Sequence, residues 1–77
     1  MLIQVLGPGC KKCQTLKENA DAAVADLGVD ATVEKVEDIV KITSFGVMMT
    51  PAIVVDGEVK SVGKVLSPDE IKSLIGG

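Results

Sequence analysis

The chain has 77 residues, a length typical of one domain, and 47% of them are hydrophobic although only Phe45 is aromatic. Its formal net charge is −3 and its lysines are scattered, which argues against binding to nucleic acid or to an anionic membrane surface. No apolar stretch approaches the roughly 20 residues of a membrane-spanning helix. Residues 1–5 enter a strand pattern at once and leave no room for a signal peptide, so we expect a cytoplasmic protein.

The chain begins with a strand pattern that is followed by a helix pattern. Residues 2–6 are an apolar run that ends in a Gly-Pro-Gly stretch at residues 7–9, which is typical of a strand entering a loop. From residue 11 to about residue 27, apolar side chains recur at steps of three and four, which predicts a helix with one buried face. Gly28 is placed to end this helix.

A weaker strand pattern and a short helix pattern come next. Residues 31–36 alternate in polarity less clearly, as expected of a strand at the edge of a sheet. Residues 37–44 are predicted to form a helix, with Phe45 at its exit also in the core. The residues of this helix that are available for the core are Ile39, Val40 and Ile42.

The last third of the chain contains a hairpin signal and a final helix. Residues 52–55 are a continuous apolar run, which predicts a strand buried on both faces. Asp56-Gly57 is a two-residue hairpin turn that joins this run to a strand at residues 58–62. Ser67-Pro68-Asp69-Glu70 is a capping box that predicts a helix start. The residues of this helix expected to face inward are Ile71, Leu74 and Ile75.

The resulting order of elements is β-α-β-α-β-β-α over a single domain, residues 1–77. A parallel β-α-β unit crosses over with a right hand, and the hairpin adds an antiparallel pair. The sequence therefore predicts an α/β fold with one four-stranded mixed sheet and three helices, which is the minimal thioredoxin-like, or glutaredoxin-like, architecture.

Two cysteines, Cys10 and Cys13, lie where the first strand passes into the first helix. A disulfide between them would close too small a loop to stabilise the fold, so the spacing indicates redox chemistry or metal binding. The helix N-terminus, together with Lys11 and Lys12, favours a thiolate and should lower the pKa of Cys10. Cys13 lies one turn further on, on the buried face with Leu16. We therefore expect Cys10 to attack a substrate and Cys13 to resolve the mixed disulfide.

The second candidate segment is Met49-Thr50-Pro51, directly before the buried strand. Since proline cannot donate to a sheet ladder, it must occupy the first position of the strand or an edge. In the predicted architecture this loop lies at the same end of the sheet as Cys10. An ordinary trans proline opening the strand is the alternative, but in combination with the C-x-x-C pair we expect a cis Thr50–Pro51 bond. It would turn the Thr50 backbone toward Cys10, where it can pair with an extended substrate segment. Met49 and its neighbour Met48 either form a docking surface or fill the core.

Residues 9–13 (G-C-K-K-C), residues 50–51 (T-P) and Gly63 resemble the thioredoxin/glutaredoxin superfamily, and within it the small archaeal and bacterial redox-active disulfide proteins. The resemblance covers essentially the whole chain. It implies that Cys10 and Cys13 cycle between dithiol and disulfide and that Pro51 is the cis-proline beside them. The chain departs from thioredoxins proper because it has no Trp, and from glutaredoxins because residues 63–66 read Gly-Lys-Val-Leu rather than G-G-x-D.

The leading hypothesis is a thiol–disulfide oxidoreductase that acts on protein or low-molecular-weight disulfides. It needs no metal or other cofactor but does need an electron donor, either a reductase or a low-molecular-weight thiol, and nothing requires more than a monomer. The expected substrate-binding residues are Gly9, Met49, Thr50 and Pro51, with Lys11 and Lys12 tuning the thiols. The alternatives are a copper carrier resembling heavy-metal-associated domains, since two thiolates suit Cu(I), and a redox-inert interaction module.

Overall fold

The computed structural model describes residues 1–9 and 11–76 of the chain. The observed elements, in chain order, are β1 (Leu2–Leu6), α1 (Lys11–Leu27), β2 (Thr32–Val36), α2 (Ile39–Ser44), β3 (Ala52–Val55), β4 (Glu58–Val62) and α3 (Pro68–Gly76). One four-stranded sheet has the strand order β2-β1-β3-β4. The predicted α/β class and the order β-α-β-α-β-β-α are confirmed.

Strand β1 lies inside the sheet and connects its parallel and antiparallel parts. It pairs in parallel with β2, which is an edge strand as predicted, and antiparallel with β3. The β3–β4 hairpin turns at Asp56 and Gly57, whose φ angles of 50° and 82° suit the mirror-image turns that connect two strands tightly. The Asp56 carboxylate also accepts a hydrogen bond from the backbone N–H of Leu2 at 2.8 Å, which ties the turn to the start of β1.

Alternate residues of β3 point into two separate cores, one on each face of the sheet. Ile53 and Val55 pack into the core covered by α1 and α3, whereas Ala52 and Val54 pack into the core covered by α2. All four are buried, which confirms the prediction of a strand buried on both faces. Among residues 1–9 and 11–76, every helix is too short or too polar to cross a bilayer.

Helix α2 differs from the prediction in its start and in its buried residues. It begins at Ile39 rather than at residue 37, because the carboxylate of Asp38 accepts the N–H of Val40 at 2.9 Å and caps the helix. Only Ile42 is buried, while Ile39 and Val40 are 61% and 76% exposed. The expectation that both lie in the core was wrong, since a six-residue helix presents one buried position to the sheet and its first turn faces solvent.

Helix α3 begins as predicted but buries a narrower stripe. The N–H of Glu70 donates to the Ser67 hydroxyl at 3.2 Å, and the N–H of Ser67 donates to the Glu70 carboxylate at 3.1 Å, which confirms the capping box. Ile71 and Ile75 are buried one turn apart, whereas Leu74 lies at the margin of the stripe and is 37% exposed, so its predicted inward orientation was wrong. Phe45, after α2, is half-buried against the core on that face.

Candidate active site

Cys10 lies outside the residues that the structure describes, so the site is defined by its neighbours. Gly9 precedes it with a φ of 88°, a left-handed conformation that favours glycine. Lys11 and Lys12 follow it as the first two residues of α1, and both are exposed. The first turn of α1 contains no acidic residue. The described residues around Cys10 therefore present positive side chains at a helix N-terminus, as the sequence predicts.

Cys13 is completely buried in the first turn of α1, on the same face as Leu16 and Ala20. Its side chain packs against Gly7, which follows β1. A Cβ atom on Gly7 would overlap Cys13 Sγ and would lie 2.8 Å from Cys13 Cβ. Cys13 thus occupies the space where any other residue at position 7 would place its side chain. Sequence reasoning treated Gly7 only as part of a loop, and no pattern in the sequence marks this contact.

The Thr50–Pro51 peptide bond is cis, as predicted. Pro51 is buried directly before β3, and its carbonyl oxygen accepts the N–H of Gly63 at 2.8 Å. The Cβ atom of Thr50 lies 3.9 Å from the position that a Cβ on Gly7 would take. Thr50 and Cys13 therefore both border Gly7, which confirms that the two loops meet at the same end of the sheet. The orientation of the Thr50 backbone toward Cys10 stays a prediction.

Both methionines of this loop lie at the surface. Met48 is 95% exposed and Met49 is 63% exposed, so neither fills the core. The Met49 side chain lies over Gly63, with Cε 3.3 Å from the position that a Cβ on Gly63 would take. An open apolar groove borders Met48. The residues that line it include Pro8, Ile39, Ile42, Val47, Met48 and Thr50. The sequence analysis placed Ile39 in the core and therefore did not identify it as part of this surface.

Sequence reasoning also missed an acidic neighbour of the Gly-Pro-Gly loop. One carboxylate oxygen of Glu37, Oε2, lies 3.4 Å from the position that a Cβ on Gly9 would take. The other, Oε1, lies 3.6 Å from Nζ of Lys35. Because β1 and β2 are parallel, the residues that follow them emerge at the same end of the sheet. A parallel pairing of β1 with β2, together with the position of Glu37 just after β2, would have predicted that Glu37 lies near Gly9.

The described part of the chain holds no buried charged or polar side chain and no group of three His, Cys, Asp or Glu residues able to bind a metal. The groups available for chemistry next to Cys10 are therefore a buried sulfur, exposed lysines, one exposed carboxylate and backbone groups. The element order also differs from the β-α-β-β-α-β order of heavy-metal-associated domains, so the fold does not support the copper-carrier alternative.

The four-stranded mixed sheet, the cysteine at the start of α1 and the cis-proline loop beside it define a protein of the thioredoxin-like class. Residues 1–76 match the family model described as "Thioredoxin domain". A protein named Thioredoxin from Methanothermobacter thermautotrophicus is 44% identical over 75 residues, covering 97% of each chain. Another protein named Thioredoxin, from Methanocaldococcus jannaschii, is 39% identical over 72 residues, covering 94% of this chain and 83% of the relative. The chain therefore belongs to the thioredoxin domain family.

Proposed function

We propose that this protein is a thiol–disulfide oxidoreductase in which Cys10 attacks the substrate and Cys13 resolves the intermediate. The observation that carries the proposal is the complete burial of Cys13 against Gly7, three positions after Cys10 and beside the Thr50–Pro51 loop. Burial shelters the Cys13 sulfur from the substrate, as a dithiol mechanism requires of the resolving cysteine. Membership of the thioredoxin domain family supports a redox role of this kind.

The reaction transfers two electrons to the substrate in two exchange steps. The Cys10 thiolate attacks one sulfur of the substrate disulfide, forms a mixed disulfide and releases the other substrate sulfur as a thiolate. The Cys13 thiolate then attacks the Cys10 sulfur, forms the Cys10–Cys13 disulfide and releases the second substrate sulfur. The substrate gains two electrons and two protons, and the protein is oxidised. An external reductase or a low-molecular-weight thiol then restores the dithiol.

The surrounding residues have distinct proposed roles. Lys11 and Lys12 lie at the positive end of α1, where they add to the electrostatic stabilisation of a thiolate at Cys10. The backbone of Thr50 pairs with an extended segment of the substrate, and Pro51 holds that backbone in place. Gly9 keeps the approach to Cys10 free of a side chain.

Protein disulfides are the substrates that best fit the exposed surface. Met48 and Met49 are flexible apolar side chains next to an open groove, and they can adapt to different polypeptide segments. The two relatives named Thioredoxin support a protein substrate and a reductase partner. The proposed reaction needs one chain and no cofactor.

The test is reduction of a model protein disulfide such as insulin by single-cysteine variants, with a low-molecular-weight dithiol as the electron donor. Cys10→Ser is expected to abolish turnover, because Cys13, the remaining cysteine, is completely buried. Cys13→Ser, mixed with the protein disulfide in the absence of the dithiol, is expected to accumulate a mixed disulfide on Cys10, detected as an adduct by mass spectrometry. Gln14→Ala, an exposed change beside Cys13, is the control and should turn over normally. Full dithiol-type turnover by Cys13→Ser would show that the roles are wrongly assigned.

A further inference from the structure

Gly7 has no conformational reason to be glycine, unlike Gly9. Its φ lies outside the left-handed region, whereas Gly9 and four other glycines have positive φ angles. Its N–H donates to the carbonyl of Val36 at 2.9 Å, so its backbone is held in the β1–β2 pairing. Position 7 requires a residue without a side chain, because Cys13 fills the space that a side chain there would occupy.

A methyl group at position 7 would displace Cys13 rather than the strand. The hydrogen bond to Val36 and the pairing of β1 with two neighbours hold the main chain at position 7. A separation of 2.8 Å between the two Cβ atoms is too short for non-bonded carbons, so the first turn of α1 has to move. A disulfide constrains the separation of its two Cβ atoms to about 3.5–4.5 Å, whereas a dithiol imposes no such constraint. The displacement therefore costs the disulfide form more than the dithiol form.

We propose that Gly7 is a positioning residue that sets the reduction potential of the Cys10–Cys13 couple by fixing the depth of Cys13. This inference rests on the proposed oxidoreductase function. Gly7 itself exchanges no electrons. It determines where the resolving sulfur lies relative to the main chain at the end of β1, and so how easily the disulfide closes.

The test is the midpoint potential of Gly7→Ala in buffers of stepped redox potential, read by alkylation and mass. We expect the equilibrium constant for disulfide formation to fall about tenfold, which raises the midpoint by about 30 mV for a two-electron couple. Gly76→Ala is the matched control, since its new Cβ would lie 2.6 Å from Leu27 Cδ1 at the far end of α1, also without a positive φ. It should leave the midpoint unchanged. A folded Gly7→Ala protein with the wild-type midpoint would overturn the inference.

A second measurement keeps the inference testable if Gly7→Ala folds poorly or if the wild type shows no redox couple. The urea stabilities of Gly7→Ala, Cys13→Ala and the double variant form a cycle that isolates the contact between the two residues. We expect the loss caused by Gly7→Ala to be smaller in the Cys13→Ala background, because the overlap with Sγ is gone and only the contact between the two Cβ atoms remains. An equal loss in both backgrounds would refute the contact. A wild-type protein without a redox couple would instead contradict the proposed function.

Discussion

Glu37 places a carboxylate oxygen 3.4 Å from the position that a Cβ on Gly9 would occupy, directly beside the loop that precedes Cys10. Its side chain is 58% exposed, and Lys35 pairs with it at 3.6 Å. Lys11 and Lys12 lie at the other end of the same loop, at the start of α1. The described residues on either side of Cys10 thus carry charges of both signs, and the negative charge comes from the residue that follows β2.

Glu37→Gln should make Cys10 more reactive, because a nearby negative charge disfavours the thiolate. Solvent screens this exposed carboxylate, so we expect the alkylation rate at neutral pH to rise about twofold to threefold at low salt, and less at high salt. The measurement is the rate of iodoacetamide alkylation of Cys10 in a Cys13→Ser background. Glu34→Gln, which removes the same charge opposite Gln4 on β1, is the control. Equal rates for the two variants would argue against a local effect of Glu37.

Asn19→Ala should destabilise the fold through a single hydrogen bond. Asn19 Nδ2 donates to the carbonyl of Leu66 at 2.8 Å, and this bond ties α1 to the segment before α3. Removing the donor takes this bond from the carbonyl of Leu66, a residue that is only 8% exposed, which costs about 1–3 kcal/mol. Urea unfolding measures this loss. Gln14→Ala on the same helix should change stability by less than about 0.5 kcal/mol, and the prediction fails if the two variants are equally stable.

Met48→Ser should weaken activity toward protein disulfides without weakening the fold, since its side chain is 95% exposed. If this side chain becomes buried on docking, losing it lowers kcat/KM for a protein disulfide by about fivefold. The rate with a small disulfide such as oxidised dithiothreitol or cystine should not change. Val40→Ser is the control, because Val40 is also exposed but does not line the groove. A matching loss with small and protein disulfides would exclude a docking role for Met48.

Lys72 should make the stability of the protein depend on alkaline pH. Hydrogen bonds to Asp69 and Asp26, followed by their charges, raise the pKa of Lys72 above its ordinary value of 10.5. A raised pKa in the folded state means that the ion pairs contribute fully below pH 10.5 and are lost as the pH rises through the folded value. The difference in urea midpoint between wild type and Lys72→Gln should therefore shrink in that range. A constant difference from pH 7 to pH 11 would contradict this linkage.

Local chemical signals were sufficient for most of the fold. The Asp56-Gly57 turn, the Ser67–Glu70 capping box and the continuous apolar run of β3 each act within a few neighbouring residues, so the sequence displays them directly. The two-residue error at the start of α2 has the same local origin, because Asp38 was not recognised as the cap.

The site was harder to predict because its contacts join distant parts of the chain. Cys13 could be placed on the buried face of α1 from helical spacing, but its contact with Gly7 depends on how α1 packs against the end of β1. Glu37 approaches Gly9 only because β1 and β2 pair in parallel. Ile39 lies in the groove near Thr50 rather than in the core, since α2 turns its first residues toward solvent.

The most direct test of the central claim is a redox equilibration of the purified, metal-free protein in buffers of stepped potential. The Cys10–Cys13 disulfide is counted at each step by alkylation and mass. The account predicts a reversible two-electron transition with a midpoint between about −300 and −120 mV. If no intramolecular disulfide forms, or if it forms and cannot be reduced, the chain is not a thiol–disulfide oxidoreductase.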